Sequence, residues 1–199
     1  NYEYYGALFA QLNPYSLLVG LTASALFVMH GVIYLILKTS GEVNAWIRKW
    51  VKPSIIVFIV MYVLTTLATL AFVPHMAAPF KQNFWLYLVP IVTVLVIANI
   101  PREIYRDLEW RAFLSSSAAI ALLMTLYGIG MFPELIHSTN PTTSLTAMNA
   151  SSSPKTLQIM LIIAAIGMPL VIAYTATIYW IFRGKVELED NPEAPVSGY

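Results

Sequence analysis

The side chains here that could do acid–base or ligand chemistry are few and far apart. The chain of 199 residues has three histidines and no cysteine. His30 lies in the middle of a long apolar run, in Met29-His30-Gly31, whereas His75 and His137 lie at the ends of such runs. An ionisable group in apolar surroundings is expensive to keep, so His30 is the first functional candidate. Its imidazole could ligate a haem iron or relay a proton. The plainer alternative is an interior histidine hydrogen-bonded to a hydroxyl or carbonyl of a neighbouring helix. A haem with two axial histidines needs a second imidazole at the same depth. His75 and His137 instead occupy positions that suit helix caps or water-facing groups.

No Asp or Glu falls within the apolar runs, which counts against a self-contained proton carrier. One dense charge cluster, Arg102-Glu103, Arg106-Asp107, Glu109 and Arg111, has helix-like spacing. It predicts an ion-paired helix with a face that could dock a partner. Without cysteine there are no thiolate metal sites and no covalent haem attachment. Phosphate-binding glycine loops, His-Glu-x-x-His motifs and nucleophile elbows are absent from the sequence. No catalytic, cofactor-binding or metal-ligating residue is therefore assigned.

The elements that would carry these residues follow from composition. Hydrophobic residues make up 58% of the chain and charged ones 11%, against roughly 25% charged in a soluble domain. A net charge of +1 gives no reason to expect a nucleic-acid partner. Crossing about 30 Å of hydrocarbon takes about 20 apolar residues as helix. Stretches 14–37, 53–73, 84–100, 113–132 and 154–182 meet that requirement and lack the alternation of barrel strands. The expectation is an all-α integral membrane protein, a bundle of about five transmembrane helices over 14–185. A lead-in over 1–13 and a tail over 186–199 flank it. Pro101 and Pro133 are expected to stop the third and fourth spans, Pro90 and Pro169 to kink the third and fifth. Ser153-Pro154 reads as an N-cap and first helical residue.

Charge orients the chain. Lys38, Arg48, Lys49, Lys52, Arg102, Arg106, Arg111, Arg183 and Lys185 fall in alternate connections, leaving only Lys81 and Lys155 for the other side. The positive-inside rule makes the rich side cytoplasmic, with the N-terminus outside and the C-terminus inside. Trp46, Trp50, Trp85, Trp110 and Trp180 fall near span ends, as an aromatic belt would. Gly20, Ser24 and Gly31, residues 115–119, and Gly128 and Gly130 are the small residues at which helices are expected to approach closely. The loop over 134–153 carries Asn149-Ala150-Ser151, a glycosylation acceptor pattern common by chance. The first residues lack the basic n-region and cleavage site of a signal peptide, and the start at Asn1 reads as a piece of a longer chain.

Leu12-Asn13-Pro14-Tyr15 enters the first span, His30-Gly31 lies within it, and Lys38-Thr39-Ser40-Gly41-Glu42 leaves it. Gly130-Met131-Phe132-Pro133, Ser144-Leu145-Thr146, Asn149 to Thr156 and Phe182-Arg183-Gly184-Lys185 follow in order. Together these stretches resemble subunit II of cytochrome bd-type quinol oxidases. The resemblance implies an accessory role beside a haem-bearing subunit I in quinol oxidation and reduction of dioxygen to water. It implies haem b and haem d in that partner and none bound by this chain. It also implies a bacterial cytoplasmic membrane location, missing earlier helices, and room for small extra subunits. The rival expectations are a small-solute transporter gated by the Pro-kinked spans, or a membrane scaffold protein.

Overall fold

A computed structural model of the chain describes residues 12–138 and 144–185; most of the lead-in over 1–13 and the whole tail over 186–199 lie outside the described residues. Among the described residues there are six α-helices: α1 Pro14–Lys38, α2 Gly41–Phe72, α3 Ala78–Gln82, α4 Leu88–Tyr105, α5 Glu109–Met131 and α6 Pro154–Ile181. Single 3₁₀ turns, Pro74–Ala77 and Phe84–Tyr87, flank α3. A short antiparallel pair, β1 Glu134–Ile136 and β2 Leu145–Thr146, precedes α6. Among the described residues five helices are long and apolar enough to cross a membrane: α1, α2, the helical stretch Phe84–Tyr105 that contains α4, α5 and α6. The protein is thus an all-α, multi-pass membrane protein.

The chain divides into two compact units, Asn1–Gly130 and Met131–Tyr199. In the first, each long helix offers one stripe to a common interior. The buried residues are Leu26, Met29, Ile33 and Ile36 on α1, and Ile47, Val51, Ile55 and Phe58 on α2. α4 adds Thr93, Ile97, Ile100 and Glu103, and α5 adds Ala112, Ser116 and Ala119. Steps of three and four residues keep each stripe on one helix face. The remaining faces expose large apolar side chains such as Phe27, Val57, Leu67 and Leu95, the surface that lipid would solvate.

Several boundaries differ from expectation for a common reason. Proline and charge mark the edge of the hydrocarbon, not the end of the helix. α2 starts at Gly41 rather than 53, with Pro53 inside it and Arg48, Lys49 and Lys52 on its first turns. Only Thr39 and Ser40 separate α1 from α2. α4 likewise runs through Pro101 to Tyr105. Pro90 falls in the first turn of α4, where no intrahelical partner is required of its nitrogen, so it is not an interior kink site. Pro169 does lie inside α6. The expected helix over 102–111 is broken: α4 closes at Arg106, and Asp107 takes a positive φ of 54° before α5 begins. Leu108 N–H returns to Glu103 O at 3.0 Å to close the turn.

The N-cap expected at Ser153 forms, and Asn13 caps the first span in the same way. Asn13 Oδ1 accepts Ser16 N–H at 2.8 Å and opens α1 on Pro14. Ser153 Oγ accepts Thr156 N–H at 3.4 Å and opens α6 on Pro154. In the second unit Asn149 holds the loop before α6. Its Oδ1 accepts Thr146 N–H at 2.7 Å, and its Nδ2 donates to Ser144 O at 2.9 Å. None of the residues of α6 is buried.

Candidate functional site

The polar groups inside the first unit are arranged as clasps between helix pairs. α1 and α2 are joined by Tyr15 and Thr69, whose hydroxyls are 2.9 Å apart, and by Thr22 and Thr65, at 2.5 Å. α4 and α5 are joined by Asn99 Nδ2 donating to Ser115 Oγ at 3.1 Å. The Thr22 and Thr69 hydroxyls each also donate to a carbonyl one turn back, Leu18 O at 2.8 Å and Thr65 O at 2.7 Å. That back-bond satisfies the hydroxyl within its own helix, so the clasp adds specificity at little desolvation cost.

His30 joins α1 to α5. Its Nδ1 is 2.8 Å from Ser116 Oγ, and its ring stacks on Phe113 with centroids 5.0 Å apart. Phe113 also packs against Tyr34 and Trp110, at 5.7 Å and 5.8 Å. Of the two readings open from sequence, the hydrogen bond to a hydroxyl on a neighbouring helix is what the geometry presents. His75 sits in the 3₁₀ turn after α2, and His137 follows β1 and contacts Glu134. Among the described residues no group of three His, Cys, Asp or Glu is placed to share a metal ion. A haem held between two histidines does not fit the four long helices of the first unit, because His30 is the single histidine in them.

At the end where α1 meets α2 lies a charged turn. Arg48 on α2 reaches Asp107 Oδ1 at 3.1 Å and also pairs with Glu109. Its Nε donates to Asn44 Oδ1 at 2.9 Å, while Asn44 Nδ2 donates to Ile36 O at 2.8 Å. The acids that sequence spacing pairs within one helix are therefore paired across three elements.

Glu103, expected among the ion-paired charges of 102–111, is buried instead. It is 5% exposed, and its Oε2 is the buried side-chain polar atom without a hydrogen-bond partner among the described residues. Its burial follows from α4 running on through Pro101, which was expected to stop the third span. The signal was present: Thr93, Ile97, Ile100 and Glu103 step by four, three and three along one face.

The packing glycines are corrected as well. A Cβ added to Gly20, Gly31 or Gly128 would meet nothing within 4 Å, so none of them lets another backbone approach. At Gly130 a Cβ would stand 2.9 Å from Met76 Cε. Within the expected stretch 115–119, Ser116 and Ala119 are fully buried on α5, and Ala112 on the same helix joins them. A groove of about 590 Å³ lies between α1 and α2, lined by Leu21, Val28, Leu35, Trp46, Trp50 and Met61 among others. Its hydroxyls, Ser24 and Ser54, donate to Gly20 O and Val51 O, so they give a substrate little to recognise.

Comparison with known proteins agrees with this architecture. The family model described as cytochrome bd terminal oxidase subunit II matches residues 1–182. The cytochrome bd-I ubiquinol oxidase subunit 2 of Escherichia coli K12 is 28% identical over 94% of this chain and 56% of its own length. The cytochrome bd ubiquinol oxidase subunit 2 of Bacillus subtilis 168 is 27% identical over 88% of this chain and 51% of its own. A probable cytochrome oxidase subunit 2 of Haemophilus influenzae is 24% identical over 92% and 56%. The chain spans about half the length of these curated relatives.

Proposed function

The chain belongs to the cytochrome bd terminal oxidase subunit II family, and from that premise we propose that it serves as the accessory, structural subunit of a membrane-bound quinol:dioxygen oxidoreductase. In this reading a separate subunit I carries haem b and haem d, oxidises quinol and reduces dioxygen to water. This chain packs beside it and holds it in the membrane. The orientation that goes with the reading puts the α1–α2 turn and the α4–α5 turn on the cytoplasmic side, where nine of the 11 lysines and arginines gather.

The observation that carries the proposal is the family match across residues 1–182, which takes in all five apolar helices. The names of the bacterial relatives supply the quinol and the oxidase. The interior supports a packing role: aliphatic stripes fill it, and its hydroxyls are spent on helix-to-helix clasps. The test is affinity purification of the tagged chain, in its full natural length, from native membranes. A co-purifying haem d absorption band with quinol oxidase activity is the expected result. Purification free of haem, with membrane quinol oxidase activity unchanged after deletion of the gene, defeats the proposal.

A further inference from the structure

The groove between α1 and α2 has dimensions that limit what can fill it. It runs along α1 from Leu21 to Leu35 and along α2 from Trp46 to Met61. Leu21 and Leu35 lie about 21 Å apart on their helix, so a volume of about 590 Å³ gives a mean cross-section of roughly 28 Å². A helix with its side chains is about 10 Å across and takes up roughly 80 Å². The slot is too narrow to seat a helix and wide enough for one extended hydrocarbon chain.

The two ends of the groove differ. At one end the Thr22–Thr65 clasp closes it, with Thr22 Oγ1 also 3.3 Å from Met61 O. At the other stand Trp46 and Trp50, their rings 6.2 Å apart and 60% and 54% exposed. From Trp50 to Met61 is about 16 Å along α2, against about 15 Å for half the hydrocarbon of a bilayer. The groove therefore takes up one leaflet, from indoles at the headgroup level to the midplane. Its walls are apolar apart from Ser24 and Ser54, whose protons are spent on carbonyls of their own helices.

Charge at the open end selects a headgroup. Lys49 follows Trp46 by three residues and precedes Pro53 by four, and both of those line the groove, so it borders that face. It is exposed and makes no ion pair among the described residues. Of the acids at this end, Asp107 and Glu109 are taken by Arg48, and Glu42 stands one turn beyond Trp46, farther from the hydrocarbon. An acyl chain gains little by leaving other lipid tails for an equally apolar wall. The preference must come from the headgroup, where attraction to one lysine near the membrane surface is worth about fivefold in occupancy.

We propose that the α1–α2 groove is a binding site for one anionic phospholipid, its acyl chain lying in the slot and its phosphate beside Lys49 and the two indoles. The site is independent of the oxidase reading, since it needs only that α1 and α2 stand in a bilayer. A lipid held there would act as a filler between the two helices, restoring the packing contacts that an empty slot forfeits.

The test is photo-crosslinking of the full-length protein, with the subunits that accompany it, in bilayers holding phosphatidylglycerol with a diazirine midway along one chain. Adducts are mapped to residues by mass spectrometry, with Leu95 on the exposed face of α4 as the reference for passing lipid. Adducts should be several-fold denser on the groove walls than at Leu95, and unlabelled phosphatidylglycerol should displace them several-fold better than phosphatidylcholine. Val28→Trp and Val57→Trp, which fill the slot from either wall with side chains that are exposed in it, should each remove the groove adducts and spare those at Leu95. Lys49→Gln should keep the groove adducts and erase the preference between the two lipids. Groove labelling no denser than at Leu95 overturns the proposal, since the lipid there is then only passing. Equal displacement by both lipids overturns it too. A groove left unlabelled while Leu95 is labelled overturns it in favour of a protein segment covering the slot.

Discussion

Arg48 of α2 and Asp107 of the α4–α5 turn are held together by a 3.1 Å ion pair, although 59 residues separate them. The same guanidinium takes Glu109, the first residue of α5, so one side chain fastens the starts of two helices and the turn before one of them. Asp107 is 78% exposed and Glu109 16%, so the two partners are not equivalent. Water screens the first pair, and exposed pairs contribute about 0–1 kcal/mol. Arg48→Gln should therefore cost more than Asp107→Asn. Thermal unfolding in detergent at low and high salt checks this: a strong salt dependence belongs to Asp107 and a weaker one to Glu109. Equal and fully salt-sensitive losses for both acids contradict the ranking.

Glu103 should be a residue whose removal strengthens the fold. Its Oε2 is buried with no donor among the described residues. Replacing an unsatisfied polar group by an apolar one of similar size recovers about 1–3 kcal/mol. Glu103→Met is expected to raise the unfolding temperature of the purified protein. A lower unfolding temperature means that the carboxyl has a partner in the assembled protein and that its burial is useful.

Ala119 and Gly31 give a packing contrast. Ala119 is fully buried on α5, while a Cβ at Gly31 meets open space. Ala119→Leu should overpack the four-helix interior and cost about 1–3 kcal/mol. Gly31→Ala should be neutral or stabilising by up to about 1 kcal/mol, through helix propensity. Comparing recovery of folded protein for the two variants decides the matter. A silent Ala119→Leu would show that the α5 stripe is loosely packed.

Topology is open to a direct measurement. The chain has no native cysteine, so single cysteines report without interference. Lys49 on the first turns of α2 and Ser152 before α6 are both exposed. Lys49→Cys should label only after the cell membrane is opened, and Ser152→Cys should label in intact cells to which outer access is given. Both labelling from one face would end the five-span arrangement.

The sequence made the helices legible where hydrophobicity alone decides, and it obscured them where the helix outlasts the hydrocarbon. Apolar runs located all five spans, and Asn13 and Ser153 announced two helix starts. Arg48, Lys49, Lys52 and Pro53 then hid the first turns of α2, since charge and proline look like a loop in one dimension. In space they are a helix leaving the membrane. Pro101 hid the burial of Glu103 in the same way. The His30–Ser116 contact joins residues 86 apart and has no local signature. A histidine in an apolar run advertises itself; the serine that answers it is one of three in a row, Ser115 to Ser117.

The length of α2 has a mechanical consequence. Residues 53–72 rise about 30 Å, matching the oily interior, and below them stands a collar of Lys49, Lys52, Trp46 and Trp50. A helix so marked at its foot is a ruler. In a thicker bilayer it must stand more upright, and in a thinner one it must lean. α1 cannot stay behind, because a two-residue link and the Tyr15–Thr69 and Thr22–Thr65 clasps bind it to α2 along its length. His30 is carried on that lever, so the height at which its imidazole sits is set in part by the lipids the cell makes.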